Sequence, residues 1–389
     1  MAKNKTEINI GIDASRNRSG GAKAHIIGII NEFDEKLGFK NVHLWAYKSL
    51  LDEIQDRPWL VKHHHPYLEL SLIHQLFWQA FQLKKDAHHF KCNILFSTDA
   101  STLCNFSPLV VLSQDLLSYE PGIMKSYKWG KNRLRLEIIK IVQNLAFRRS
   151  KGVLFLTDYA SKIIQKSCGR LSRTALAPHG IDDKFRNIVK FKPKYLKNSI
   201  KNPIKCIYVS NADIYKHHDN VVYAMKLLKN RGLFVNLKLL GGGSGLAQSN
   251  LENAIAECDP EGEYIEQLDF IQHDDLPRYL AKSHIYIFAS SCENLPVTLL
   301  EGMASGLPIV CSNRGPMPEV LKDGGIYFNP EESSSIADAI ENLIVSQHLC
   351  NKLTTKAKKL SASYTWKACS QNTFKFIRNT YLDEKNSYE

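Results

Sequence analysis

The chain has 389 residues and a formal net charge of +12, with 44% hydrophobic and 23% charged residues. At roughly 100–200 residues per domain this length predicts two or three domains, and the composition excludes a disordered or fibrous chain. No apolar stretch approaches the ~18–20 residues that span a bilayer. The polar start gives no signal-peptide pattern, and the nine cysteines, none in a Cys-x-x-Cys pair, read as reduced thiols of a cytosolic protein.

Residues 7–12 read as a strand, followed by a loop over 13–21 and a helical pattern from residue 22. Further strands are predicted near 42–46, 93–97, 109–112 and 153–156, with helices between. The histidines at 63–65 and 88–89 lack a nearby ligand set and read as surface loops. Residues 122–151 hold nine basic residues (Lys125, Lys128, Lys131, Arg133, Arg135, Lys140, Arg148, Arg149 and Lys151) against one acid, Glu137. Such a patch attracts anions: nucleic acid, an anionic membrane surface or a phosphorylated substrate. Trp129, Leu134, Leu136, Ile138, Ile139, Ile141, Val142, Leu145 and Phe147 are interleaved with it, which suits either an amphipathic helix at a bilayer interface or a packed helix.

Residues 187–203 carry Lys190, Lys192, Lys194, Lys197 and Lys201, two prolines and no acid, and read as an interdomain linker. A second strand–loop–helix opening follows: strand 204–210, polar loop 211–219, helix 220–230. Strands at 234–240, 263–270, 284–289, 307–311 and 325–328 then alternate with helices near 246–257, 275–282, 297–304 and 334–345. This is the rhythm of a doubly wound parallel sheet, and a last helix is predicted over 366–383. The predicted division is a first domain 1–186, a linker 187–203, a second domain 204–363 and a terminal segment 364–389. In such sheets ligands sit at the carboxyl ends of the strands.

One stretch stands out chemically. From Asn294 to Asn313 there are twenty residues and one charge, Glu301. A carboxylate on so apolar a helix is costly unless something satisfies it. A ribose diol is a good partner, since an ionised carboxylate only accepts and the diol can donate twice. The free N–H groups of the same helix, near Leu295, Pro296, Val297 and Thr298, favour a phosphate. On these grounds alone Glu301 could equally be an exposed helical glutamate or the partner of a distant lysine, and Lys216 an ordinary loop lysine.

The run Glu293-Asn294-Leu295-Pro296-Val297-Thr298-Leu299-Leu300-Glu301 through Pro308 resembles the Glu-x7-Glu signature of retaining glycosyltransferases of family 4 (GT4), with weaker similarity over most of the chain. The resemblance implies an α/β fold of GT-B type: two Rossmann-like domains facing across a cleft, the first acceptor-side and the second nucleotide-sugar-binding, with the terminal helix crossing back to the first. It implies that Glu301 binds the nucleotide ribose, that Glu293 lies against the donor sugar hydroxyls, and that Lys216 faces the departing diphosphate. Asn211 stands where the family usually has arginine, and an amide brings no charge. Gly20 and Gly21 are expected over the donor diphosphate or near the acceptor. Asp115 is an acceptor-side candidate, and His179, Gly241 and Gly242 are candidates for lining the cleft.

The implied reaction moves a sugar from a UDP- or GDP-linked donor, with retention, to a glycan or a polyprenyl-diphosphate-linked acceptor in surface polysaccharide or O-antigen assembly. The enzyme would work at the cytoplasmic face of an anionic membrane, with no nucleic-acid partner. No Asp-x-Asp motif occurs, so no metal is expected, and no cofactor beyond the donor. A non-catalytic nucleotide-sugar-binding module is the alternative.

Overall fold

The computed structural model describes residues 7–127, 130–188 and 198–387. Lys128, Trp129, Lys190, Lys192, Lys194 and Lys197 lie outside the described residues. The chain divides into two compact units, Met1–Gly180 with Thr365–Glu389, and Ile181–Tyr364.

The first unit is built on a seven-stranded sheet. Its strands are β1 Ile8–Asp13, β2 Phe39–Trp45, β3 Leu60–His63, β4 Ile94–Ser97, β5 Leu109–Leu112, β6 Gly152–Phe155 and β7 Thr174–Leu176, in the order β3-β2-β1-β4-β5-β6-β7. Every pairing is parallel. The central strands β4, β5 and β6 are buried at all four positions, as expected of parallel strands covered on both faces. The two edge strands, β3 and β7, carry weak apolar patterns and escape the sequence reading. His63 is therefore not in a loop: it closes β3, half-buried, with Nε2 3.0 Å from His43 Nδ1. Burial pushes its imidazole down to about 4. His88 and His89 are exposed in the last turn of a helix, Leu83–His89.

The helix Trp366–Asn386 belongs to this first unit. Thr365 caps it by accepting from the Ala368 N–H at 3.1 Å. Ser370 Oγ donates to the Ile29 carbonyl at 2.8 Å, and Lys151 pairs with Glu384 at 2.8 Å. Two glycines make room for it. A Cβ on Gly28 would fall 2.3 Å from the Trp366 ring, and one on Gly152 2.8 Å from Phe376.

The second unit holds a six-stranded sheet: β8 Ile204–Val209, β9 Val235–Leu240, β10 Ile265–Leu268, β11 Ile285–Phe288, β12 Ile309–Ser312 and β13 Ile326–Phe328, in the order β10-β9-β8-β11-β12-β13. All its pairings are parallel. The strand order reverses between β8 and β11, which makes the loops after these two strands the walls of a crevice.

The units divide at Gly180/Ile181, ahead of residue 186 where the sequence reading ends the first domain. Residues 181–186 are tied to the second unit: Phe185 is fully buried, the Ile181 N–H donates to the Tyr364 carbonyl at 3.1 Å, and Arg186 donates to the carbonyls of Tyr364 and Ser361 at 2.7 and 3.1 Å. Asn198 accepts from the Phe234 N–H at 2.8 Å. All nine cysteines are free and buried. No helix of the described residues is long and apolar enough to cross a membrane.

Candidate functional site

The site residues of the second unit gather at the crevice between β8 and β11. After β8 the chain turns through Asn211 to Lys216, and after β11 it runs from Ala289 to Pro296. The two loops are stitched together: the Ser291 N–H donates to the Tyr215 carbonyl at 2.8 Å, and His217 Nε2 lies 2.9 Å from Ser291 Oγ. Beneath them the buried Tyr208 donates its hydroxyl to the Lys216 carbonyl at 2.9 Å. His217 adopts φ +51°, a left-handed conformation that costs a non-glycine residue energy. This turn points Lys216 toward the β11 loop, where its ammonium donates to Glu293 Oε1 in an ion pair mostly shielded from water.

The helix Val297–Ser305 opens at the end of the β11 loop. Its first helical bond runs from the Leu300 N–H to the Pro296 carbonyl at 3.1 Å. The N–H groups of Val297, Thr298 and Leu299 therefore precede the hydrogen-bonded ladder, and Pro296 offers no side-chain cap. Val297 and Thr298 are partly open to solvent while Leu295 and Pro296 are buried. The helix lies close on the sheet because residue 302 is glycine; a Cβ there would meet the Tyr286 ring at 2.9 Å.

Glu301 is 4% exposed. Its Oε1 accepts from His273 Nε2 at 2.6 Å, and its Oε2 is buried with no hydrogen-bond partner among the described residues. Lys184 donates to His273 Nδ1 at 2.9 Å and also pairs with Asp274 at 2.7 Å. When the ring is neutral, a lysine donor at Nδ1 places its proton on Nε2, aimed at the carboxylate; when it is charged, Nε2 still donates. Burial raises the Glu301 carboxyl above its usual range, and the His273 hydrogen bond offsets part of this. The same hydrogen bond raises the His273 imidazole. The result is a carboxylate held by one oxygen, with the other oriented and available to a hydroxyl donor.

The glycines after β9 serve the neighbouring loop. Gly241, at φ +132°, passes so close to the β8 loop that a Cβ would sit 2.4 Å from the Ser210 carbonyl oxygen, and the Ala212 N–H donates to the Gly242 carbonyl at 3.0 Å. They seat the segment that presents Asn211, whose side chain is exposed.

In the first unit the predicted residues are placed differently. Gly20, at φ +57°, starts the helix Gly20–Asn31 with nothing within 4 Å of a would-be Cβ, and Gly21 follows it. The loop before them is anchored by Asp13, buried at the carboxyl end of β1, which accepts from Ser15 Oγ (2.6 Å), the Ser15 N–H (3.1 Å) and Gln79 (2.8 Å). Asp115 is exposed beyond β5, and its carboxylate accepts from the Leu117 N–H at 2.9 Å. His179 does not line a surface: it is 3% exposed, stacked on His25 at 4.8 Å, and burial pushes its imidazole down to about 4. Among the described residues, no three His, Cys, Asp or Glu side chains gather as a metal-binding group.

Residues 192–360 match the family model described as glycosyl transferases group 1. This segment is similar to the group 1 glycosyltransferases. Glu293, Glu301, Lys216 and His273 all fall within the matched segment. The chain is 24% identical over 167 residues to the O-antigen chain mannosyltransferase B of Escherichia coli, covering 43% of this chain and 44% of the relative. It is 30% identical over 139 residues to the amylovoran biosynthesis glycosyltransferase AmsK of Erwinia amylovora, covering 34% and 33%. The matched segment thus spans less than half the length of these curated relatives. Among solved structures, sucrose-phosphate synthase from Thermosynechococcus elongatus superimposes with a TM-score of 0.75 at 15% identity, covering 98% of this chain and 100% of the other. The Anabaena HepE protein, solved with UDP-glucose, gives 0.69 at 17% identity, with 98% and 100% covered. At these identities the likeness carries the fold, which is GT-B.

His273 and Lys184 are the site residues that the sequence reading misses. A buried Glu301 demands a partner, but His273 lies 28 residues upstream in a loop with no local pattern of its own. The one usable signal is its place after β10, at the same edge of the sheet.

Proposed function

We propose that the protein is a retaining glycosyltransferase that moves a sugar from a UDP- or GDP-linked donor to a hydroxyl of a glycan or a polyprenyl-diphosphate-linked acceptor. The observation that carries this reading is Glu301: a buried carboxylate with one oxygen held by His273 and the other without a partner among the described residues, four residues into a helix whose first N–H groups precede its hydrogen-bonded ladder. A ribose diol satisfies the carboxylate, and the diphosphate takes the helix N–H groups. Lys216 then supplies positive charge where the leaving diphosphate develops negative charge. As the ammonium turns to phosphate, Glu293 is released from its ion pair and can accept from the hydroxyls of the donor sugar. No residue is assigned as a carboxylate nucleophile; the departing diphosphate takes the acceptor proton on the same face, which preserves the anomeric configuration.

The names of the Escherichia coli and Erwinia amylovora relatives, an O-antigen chain mannosyltransferase and an amylovoran biosynthesis glycosyltransferase, support a place in surface-polysaccharide assembly. The acceptor is then membrane-linked and the enzyme peripheral, at the cytoplasmic face. Asn211 favours a second reading, a module that binds nucleotide sugar without transferring it, because no arginine charge enters from that loop. A panel of UDP- and GDP-sugars, scored for both binding and sugar release with the wild type and Glu301→Ala, separates these. Saturable binding with release, lost in the variant, is expected; binding without release under every acceptor condition would favour the module, and no binding would remove both.

A further inference from the structure

Sixteen large apolar residues are exposed among the described residues, and ten of them come from two segments of the first unit, residues 67–81 and 134–145. They are not scattered. On the helix Lys131–Arg149, Leu134, Ile138, Ile141 and Leu145 follow the spacing i, i+4, i+7, i+11 and so share one face. Each is between 52% and 59% exposed, while the opposite face is buried through Leu136, Gln143, Ala146 and Phe147. In the other segment Phe77 and Phe81 are 52% and 60% exposed, their rings 4.8 Å apart. The connections β3→β4 and β5→β6 both run the same way across the sheet. Right-handed crossovers therefore put these two segments on one face of it, opposite the face reached by the β1→β2 connection.

Soluble surfaces seldom gather so much apolar area without a partner. The charge around it says which partner. Lys125, Lys131 and Arg135 enter none of the ion pairs among the described residues, whereas Arg148, Arg149 and Lys151 are spent on Cys168, Thr102 and Glu384. Residues 122–151 together hold nine basic side chains and one acid. A second copy of the chain, docked about a two-fold axis, would press this positive surface against itself. A bilayer with anionic headgroups offers hydrocarbon to the aliphatic stripe and phosphate to the cations.

We propose that this face of the first unit inserts into an anionic bilayer, with Leu134, Ile138, Ile141 and Leu145 entering the acyl boundary and Phe77 and Phe81 beside them. This deepens the reading of a membrane-linked acceptor. It differs from attraction by charge alone, because the aliphatic stripe does the anchoring and the lysines and arginines select the lipid.

The test uses the full chain and flotation with phosphatidylcholine vesicles with or without phosphatidylglycerol. Wild type is expected to float with the phosphatidylglycerol vesicles. Replacing the four aliphatic residues by Gln should lower partitioning about tenfold or more, with nucleotide-sugar binding unchanged as the control for folding. Because the native thiols are all buried, a single Ile141→Cys site can carry an environment-sensitive dye, whose emission should shift to the blue on vesicle binding. Unaltered flotation of the Gln variant, with no shift of the dye, would overturn insertion while leaving the transferase reading intact. So would a wild type that floats with no vesicle, or a dimer in lipid-free buffer that the Gln variant dissolves. Failure of the transferase reading is scored separately, by sugar release to a soluble acceptor.

Discussion

Replacing Glu301 by Gln is the sharpest perturbation the site allows. The side chain keeps its shape and still offers an oxygen to the His273 N–H, but the unpartnered, oriented Oε2 becomes an NH2 that cannot accept. A hydrogen bond to a charged acceptor contributes about 1.5–3 kcal/mol, and at 4% exposure there is little solvent to screen it. The expected loss in affinity for UDP or GDP is about 10- to 150-fold, read by titration calorimetry. Stability should respond in the opposite sense. Burial raises the Glu301 carboxyl above its unfolded value of 4.5, so the ionised group destabilises the native state at any pH above that value. The variant should have no advantage below this value. Its relative stability should grow as pH rises from 4.5 to the folded value and level off above it. A variant that binds the nucleotide within about twofold of wild type would refute the ribose assignment, whatever its melting temperature.

Three further outcomes follow from the same geometry. Lys216→Ala should depress turnover about 10²- to 10³-fold, the cost of removing one oriented charge from a developing anion, while leaving donor binding less affected; steady-state kinetics with a soluble acceptor would check it. His273→Ala should raise the donor KM and destabilise the unit. Since Glu301 raises the His273 imidazole above 6.5, the charged share of that interaction is complete below 6.5 and lost as pH rises through the folded value, so the melting deficit should be larger at about pH 6 than at about pH 9. Gly180→Ala would place a Cβ 2.1 Å from the Trp366 backbone nitrogen. Because backbone cannot move aside cheaply, a lowered unfolding midpoint is expected with nucleotide affinity retained.

The parallel rhythm was legible where strands are short apolar runs between turn signals, as in β5 and β11, since burial on both faces leaves little polar residue to blur them. It failed at β3 and β7, whose edge positions ask for less apolarity, and at the boundary near residue 180, where the deciding contacts run to Tyr364, far along the chain. Glu301 announced itself by being the one charge in an apolar stretch. Its orienting partner did not, because a loop histidine acquires meaning only when the sheet brings it beside the carboxylate. His179 shows the converse: a polar residue in a suggestive turn that the fold spends on packing.

The position of the helix Trp366–Asn386 has a consequence for biogenesis. On the ribosome all of the second unit emerges before the segment that covers Gly28 and Gly152, so the earlier half must wait with an open, glycine-floored furrow while its neighbour is synthesised. A chain truncated after residue 364 should therefore bind chaperone and resist protease only in its later part, whereas the full chain should bind no chaperone and resist protease in both units.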